Sequence, residues 1–244
     1  MSMRINTNVA SLAVQNAMSQ TQKVSDRAMK NLATGSRLSE ASADVAGSAI
    51  ATQMQSEIKS MGVAKMNSEQ ATSFVSVAEG SLNEQTNILT RLRELSVQSA
   101  SDTYSSSERN LMQSEATQLS GEFDRIAKST RYGNTKLLDG SNGNFDFQVG
   151  TTAGAESRIS YSSNANTTAS NLNVDGISVA SKSDARDSIS TVDQALQTVT
   201  EARAKFGAMQ SRLDSSQSNL GVASIFLCLL KKPITKAYGT MRRN

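Results

Sequence analysis

The side chains that could carry out acid–base chemistry are few in this chain, and they lie in a polar segment. Asp102 and Glu108, on either side of Tyr104, could form a carboxylate pair. Because their segment is rich in serine and implies no pocket, helix capping or solvation accounts better for both side chains. The chain has no histidine and one cysteine, so no nucleophile and base stand in a recognisable spacing. We predict a protein that is not an enzyme, with no metal site and no cofactor.

Two isolated features could accept a modification. Asn166, Thr167 and Thr168 form an N-glycosylation sequon. The start of the chain lacks the apolar core of a cleavable secretory signal, so we assign the sequon no role, and export would need another route. Cys228 is the only cysteine, which excludes an internal disulfide framework. We interpret it as an inert apolar residue.

Composition argues against a thick globular core and against nucleic acid as a partner. Hydrophobic residues make up 37% of the chain, below the about 45–50% of an ordinary globular domain. The net charge is +3, but the C-terminal tail is the stretch that has lysine and arginine without any acid. Elsewhere basic and acidic residues alternate, so no basic face for nucleic acid is indicated. The longest purely apolar run, Ile225 to Leu230, is far short of the roughly 20 residues that span a bilayer. We expect a soluble chain with no membrane insertion.

The first predicted helix, from residue 5 to about residue 32, has one narrow apolar face. The residues between are mostly serine, asparagine and glutamine, so this helix needs a partner to offset the entropy lost when it orders. Gly35 is expected to end it. The apolar face consists of Ile5, Val9, Leu12, Val24, Ala28 and Leu32.

A second, longer helix is predicted from about Ser42 to Ser99. Proline is absent from residues 1 to 232, so nothing in this stretch need interrupt a helix. At 1.5 Å per residue it would be a rod of roughly 85 Å. Its apolar stripe consists of Phe74, Ala78, Leu82, Leu89 and Leu92.

The third helix has the clearest signal, because its apolar residues are spaced four, three, four and three apart, as in a coiled-coil seam. It begins after a run of serines that can cap it and ends before Tyr132, Gly133 and Asn134. The seam consists of Met112, Ala116, Leu119, Phe123 and Ile126.

Residues 145 to 180 predict a small β region. The runs FDFQVG, RISYSS and GISVA alternate or are β-branched, and glycine and asparagine separate them. A fourth helix, starting near Ser183 and Asp184, should pack along the second and third. Its stripe consists of Ile189, Val192, Leu196, Val199, Phe206, Met209, Leu213 and Leu220. The predicted fold class is therefore mainly α, an elongated antiparallel helical bundle or coiled coil with a small β-hairpin region.

Four segments resemble the bacterial flagellins, and they follow one another in that family's order. They are RINTNVASLAVQ, LATGSRLSEASADVAGSAIATQM, AEGSLNEQTNILTRLRELSVQSA and FGAMQSRLDSSQSNL. The resemblance covers residues 1 to 224, and the short middle is similar to that of compact flagellins without large outer domains.

The resemblance implies a structural subunit, secreted through the flagellar type III channel, that polymerises with copies of itself into the flagellar filament. An export chaperone and the filament cap are the other bacterial partners that it implies. It also implies a division into an N-terminal inner-core helix and linker (1–41), a helical spoke (42–182) with its β region at about 140–182, and a C-terminal spoke helix (183–224).

The tail, residues 225–244, departs from the family, which continues with a polar, alanine-rich helix. It contains the only cysteine and the only proline and has no acid. A frameshift would explain this. If the codons of the last six residues are read two bases out of frame, they can encode Asp-Tyr-Ala-Ala-Glu, which resembles the family's continuation. A natural divergent terminus is the alternative. Because Pro233 should interrupt any replacing helix, we expect impaired polymerisation.

The family resemblance also implies recognition by the mammalian Toll-like flagellin receptor at Arg91, Leu95 and Glu115. Arg91 and Leu95 are four residues apart on one helix, and an antiparallel third helix could bring Glu115 beside them. An exposed arginine with an apolar neighbour suits an interface hot spot. Alternatively, Leu95 packs between helices and the two charges are solvated or paired.

Two other functions remain open for these residues. A hook-filament junction protein has a related architecture but would act as an adaptor rather than as bulk filament. A coiled-coil signalling rod, such as the cytoplasmic part of a chemoreceptor, would need heptads through residues 140–180. The glycine and asparagine there argue against it.

Overall fold

The computed structural model of the chain is mainly α, as predicted. The residues that it describes are 9–38, 40, 42, 44–141, 143–162 and 166–236. The helices are α1 (Val9–Thr34), α2 (Val45–Ser99), α3 (Ser106–Ser129) and α4 (Lys182–Thr235). The strands are β1 (Arg131–Tyr132), β2 (Thr135–Lys136), β3 (Asn144–Gln148) and β4 (Arg158–Ser162), with one 3-10 turn at Ala155–Ser157. Ile5, placed in the first helix by its periodicity, lies outside the described residues.

The chain divides into two compact units. We call Met61–Gly221 the central unit, and Met1–Ser60 with Val222–Asn244 the terminal unit. Helices α2 and α4 each contribute residues to both units.

In the central unit, α2 runs antiparallel to α3 and to α4. Arg91 of α2 pairs with Glu115 of α3, whereas Gln85, one and a half turns earlier, bonds the carbonyl of Phe123. The contacts with α4 show the same direction. Arg93 pairs with Asp193, whereas Thr72, earlier in α2, accepts a hydrogen bond from Gln217, later in α4. The core between these elements includes all five residues of the predicted α2 stripe, and Phe206 and Leu213 of α4. Leu196 is half-buried at its edge.

The buried face of α3 is rotated slightly from the predicted seam. Met112, Ala116 and Phe123 are buried as expected, but Ser120 and Ala127 complete the buried row. Leu119 and Ile126 are half-buried. Ser120 lies in the buried row because its hydroxyl donates to the carbonyl of Val174, 2.9 Å away. A leucine in that place could not make this bond.

A capping box starts α3. The hydroxyl of Ser105 accepts a hydrogen bond from the backbone N–H of Glu108, and the Glu108 carboxylate accepts one from the backbone N–H of Ser105, at 2.7 Å. These bonds satisfy two amides that the first turn leaves free. Asp102 lies elsewhere, paired with Lys182 at 2.5 Å. Glu108 therefore serves in capping, as predicted, whereas the pairing of Asp102 with a lysine was not predicted.

The strands of the described residues form two antiparallel hairpins. Strands β3 and β4 pair with Phe145 opposite Tyr161 and Phe147 opposite Ile159, which confirms a hairpin from two of the three predicted runs. Strands β1 and β2 form a second, shorter hairpin that periodicity missed, with Gly133 at φ +60° in its turn. Phe74 of α2 contacts the rings of Tyr132, Phe145 and Phe147 edge-on.

The third predicted strand, GISVA at 176–180, is wrong: this segment is irregular. Val174, Ile177 and Val179 are buried, and side chains from the helices satisfy the backbone around them. Ser99 of α2 donates to the carbonyl of Val179 at 2.5 Å, and Gln113 of α3 bonds both Ile177 and Val179. Because helix side chains supply these bonds, the segment needs no strand partner.

Helix ends follow the predicted signals at Gly35 but not at Pro233. Gly35 adopts φ +65°, which ends α1 at Thr34. Pro233 lies within α4, which continues to Thr235. The expectation that Pro233 interrupts a helix in the tail is therefore wrong. A proline removes one N–H donor, but the backbone N–H of Lys236 still bonds the carbonyl of Lys232 at 3.0 Å.

Candidate assembly and recognition surfaces

The apolar face of α1 is exposed. No residue of α1 is buried, and Val9 and Leu12 are 73% and 55% exposed. Val24 and Leu32 of the predicted face are exposed as well. The sequence predicted that this helix has too few apolar residues to fold without a partner. In the structure those apolar residues are exposed to solvent. Such a face is what an association surface requires.

The part of α4 that belongs to the terminal unit carries a second apolar surface. Val222, Ile225, Phe226, Leu229 and Leu230, which we call the terminal apolar segment, all have exposed side chains along α4. Cys228 is exposed among them. These residues are larger and more closely spaced than those of α1. The tail, which departs from the family pattern, therefore adds exposed apolar surface to the terminal unit.

Arg91 is the centre of a charged cluster on the central unit. Its guanidinium lies 2.7 Å from the Glu115 carboxylate across the helix pair and 3.0 Å from Glu94 on its own helix. The hydrogen bonds that Arg91 donates to Glu115 and then to Glu94 raise the pKa of Arg91 above its ordinary value. Both partners stay exposed, and Arg91 itself is 48% exposed. The structure thus brings together two of the three residues assigned to receptor recognition.

Leu95 does not join that surface. Its side chain is 1% exposed and belongs to the hydrophobic core. Residues four apart on a helix differ by about 40° in direction. Here that rotation turns Leu95 away from Arg91 and toward the side of the buried Leu92, into the core. Leu95 therefore packs between helices, as the alternative interpretation stated, and its assignment to recognition stays a prediction.

A buried glutamine, missed by the sequence analysis, links three elements of the central unit. The Gln85 side chain is fully buried, and its amide nitrogen donates to the carbonyls of Phe123 and Thr167, at 3.4 and 3.3 Å. Its amide oxygen has no hydrogen-bond partner among the residues that the structure describes. Gln85 falls between Leu82 and Leu89 at stripe spacing, so a polar residue at a core position was the available signal.

The part of the chain that the structure describes contains no group of three or more histidine, cysteine, aspartate or glutamate side chains placed to hold a metal ion. Among those same residues, none of the helices has the length and apolarity needed to cross a membrane.

Comparison with known proteins decides the family. Residues 5–143 match the family model of the bacterial flagellin N-terminal helical region. This chain belongs to the flagellin family. That family is one of structural proteins, and its model covers more than half of the chain.

Flagellins of two Vibrio species are similar to about two thirds of the chain. Polar flagellin F of Vibrio parahaemolyticus is 38% identical over 163 residues, which are 67% of this chain and 43% of that protein. Flagellin B of Vibrio anguillarum is 37% identical over 162 residues, or 66% of this chain and 43% of that one. The chain thus matches less than half the length of these flagellins.

Solved structures agree on the fold. The crystal structure of Bacillus cereus flagellin has a TM-score of 0.56 and 25% identity, over 64% of this chain and 88% of that one. A Vibrio parahaemolyticus protein described as flagellar hook-associated has a TM-score of 0.64 over 79% of this chain and 99% of that one, at 14% identity. At that identity the likeness concerns the fold alone, and the relatives named as flagellins do not favour the hook-filament junction alternative.

Proposed function

We propose that this flagellin family member is a structural subunit, not an enzyme, that is secreted and polymerises into the bacterial flagellar filament. The observation that carries the proposal is the exposed apolar face of α1, a helix with no buried side chain. Burying a valine or leucine contributes about 1.5–3 kcal/mol. Several such residues together can offset the entropy lost on association.

We propose roles for the segments on the same basis. Residues 1–41 form the inner-core part of the filament, with 42–182 and 183–224 forming the helical spoke. The export chaperone and the filament cap contact the subunit before and during assembly. The tail, 225–244, replaces the usual inner-core helix. Because it presents Ile225, Phe226, Leu229 and Leu230 of the terminal apolar segment in place of a polar, alanine-rich face, filament growth is impaired.

Sedimentation and electron microscopy of the purified chain test both parts. We expect concentration-dependent self-association that yields few or short filaments. Leu12→Asn with Leu32→Asn should reduce the sedimenting fraction about tenfold or more, whereas Gln15→Asn with Gln20→Asn, on the same helix, should leave it unchanged. A chain that stays monomeric at every concentration contradicts polymerisation. Abundant filaments of ordinary length contradict only the effect assigned to the tail.

A recognition role for the central unit rests on the exposed Arg91 and Glu115 pair. We propose that the Toll-like flagellin receptor binds this pair, with Leu95 holding the two helices together beneath it. Paired charges of opposite sign on adjacent helices can each meet a complementary group of a partner.

Reporter cells that express the receptor test this role. Arg91→Ala should lower potency about tenfold or more, as truncation of a hot-spot arginine does. Arg125→Ala is the matched control, because Arg125 is also exposed and paired, with Glu122 of its own helix. Equal potency of both variants and the unchanged chain would remove the claim.

A further inference from the structure

A polar groove in the terminal unit has a lining unlike that of the apolar surfaces. Its volume is about 460 Å³, and it lies between the start of α2, the loop after α1 and the end of α4. It is lined by Ser36, Leu38, Ser48, Ala51, Thr52, Gln55, Ser56, Lys59, Lys231 and Thr235. We call it the hydroxyl groove, because half of its lining residues carry hydroxyls.

Hydrogen bonds join the three walls of the hydroxyl groove. The backbone N–H of Arg37 donates to the carbonyl of Thr235 at 2.9 Å, which ties the loop after α1 to the end of α4. The Lys231 ammonium donates to the side-chain oxygen of Gln55, which ties α4 to α2. The groove is thus held by the fold at two places.

The charge of the hydroxyl groove is positive. Lys59 and Lys231 line it, and none of the described lining residues is acidic. The nearby Asp44 is engaged elsewhere, since it accepts from the backbone N–H of Gly47 at 2.8 Å and pairs with Arg37. Glu40, in the loop after α1, pairs with Lys30. Among the described residues, neither Lys59 nor Lys231 forms an ion pair with a carboxylate, so both ammonium groups can meet an anion.

Several side chains of the groove have hydrogen-bond donors available to a ligand. Within the described part of the chain, the hydroxyls of Ser48 and Ser56 make no hydrogen bond, so both can donate to a ligand. Gln55 accepts from Lys231 through its oxygen, which leaves its amide N–H groups to donate. Thr52 is excluded from this set, because its hydroxyl already donates to the carbonyl of Ser48.

We propose that the hydroxyl groove binds a small oxyanion of the phosphate class, either inorganic phosphate or the phosphate group of a small metabolite. Lysine ammonium groups are strong point-charge donors to phosphate, and neutral hydroxyl and amide donors complete the coordination. The site extends beyond the filament role. It depends on Lys231, which lies in the tail that departs from the flagellin pattern, so it is a property of this chain.

Titration of the full-length monomeric chain with inorganic phosphate, and separately with glucose 6-phosphate, tests the site by calorimetry at constant ionic strength. We expect saturable one-to-one binding to the unchanged chain. Lys59→Gln with Lys231→Gln should weaken it about tenfold or more, through loss of two charge-assisted hydrogen bonds. Lys65→Gln is the control: Lys65 is an exposed lysine of α2 that pairs with Glu69 and does not line the groove.

Circular dichroism shows whether each variant keeps its helices. Tighter binding of the sugar phosphate than of phosphate supports a metabolite as the ligand, and equal binding supports the free anion. Absence of saturable binding by the unchanged chain overturns the proposal. So does equal weakening by Lys65→Gln, which would show that phosphate responds only to overall charge.

Discussion

The two units use amphipathic helices of similar composition but leave their apolar residues in opposite environments. In the central unit, Leu82, Leu89 and Leu92 of α2 are fully buried against α3, α4 and the β hairpins. In the terminal unit, Val9 and Leu12 of α1 are mostly exposed. The difference teaches that helical periodicity identifies an apolar face but does not identify what covers it. A face is covered within one chain only if other elements fold against it.

The largest expected effect comes from making the same substitution in both units. Leu89→Ala removes a fully buried side chain and should lower the free energy of unfolding of the central unit by about 2–5 kcal/mol. Leu12→Ala, at an exposed site, should change the stability of the monomer by less than about 0.5 kcal/mol. Urea unfolding followed by circular dichroism measures both. Similar losses at the two sites would end the contrast between the units.

The buried Gln85 sharpens the comparison within one helix. Gln85→Ala leaves the carbonyls of Phe123 and Thr167 without this donor and opens a cavity, so we expect a loss of about 1–3 kcal/mol. Gln98→Ala is the matched control, because Gln98 is an exposed glutamine of α2 whose side-chain amide donates to the Tyr104 hydroxyl at 3.0 Å. The same urea series measures both variants. A stability of Gln85→Ala equal to that of the control would show that the buried amide contributes nothing.

The smallest expected effect is the pH dependence of the cap of α3. Hydrogen bonds from the backbone N–H and then the hydroxyl of Ser105 hold the pKa of Glu108 below its ordinary value of 4.5. A lowered folded-state pKa means that the stabilisation is present above about pH 4.5 and is lost as the pH falls through the folded-state pKa.

Glu108→Gln removes this titration, so its stability should fall less steeply than that of the unchanged chain below about pH 4.5. Glu84→Gln, at an exposed glutamate of α2 that caps no helix, is the control. Acid unfolding curves of the three proteins make the comparison. Parallel curves for all three would show that the cap does not respond to pH.

Much of the helical fold could be predicted because periodicity carries it. The α2 stripe from Phe74 to Leu92 is buried as a whole. The run of serines before α3 predicted a capping serine, which is Ser105. GISVA was misread because β-branched residues indicate burial as well as strands, and its hydrogen-bond partners lie far away in sequence. The β1 and β2 hairpin has two residues in each strand, too few for alternation to show.

The candidate sites were harder to predict than the fold. Spacing placed Arg91 and Leu95 on one helix face, but a rotation of about 40° decides which of them meets solvent, and sequence does not fix that rotation. The link between Arg91 and Glu115 was predictable from antiparallel helices. The hydroxyl groove was not, since it joins Gln55 to Lys231 across most of the chain.

The irregular segment before α4 has a consequence for how the central unit opens. Ser99 of α2, Gln113 and Ser120 of α3, and Ser188 of α4 each bond a different part of its backbone. No single helix can detach without breaking bonds to this segment. Amide protons in the three helices should therefore exchange with solvent as one cooperative block, rather than helix by helix.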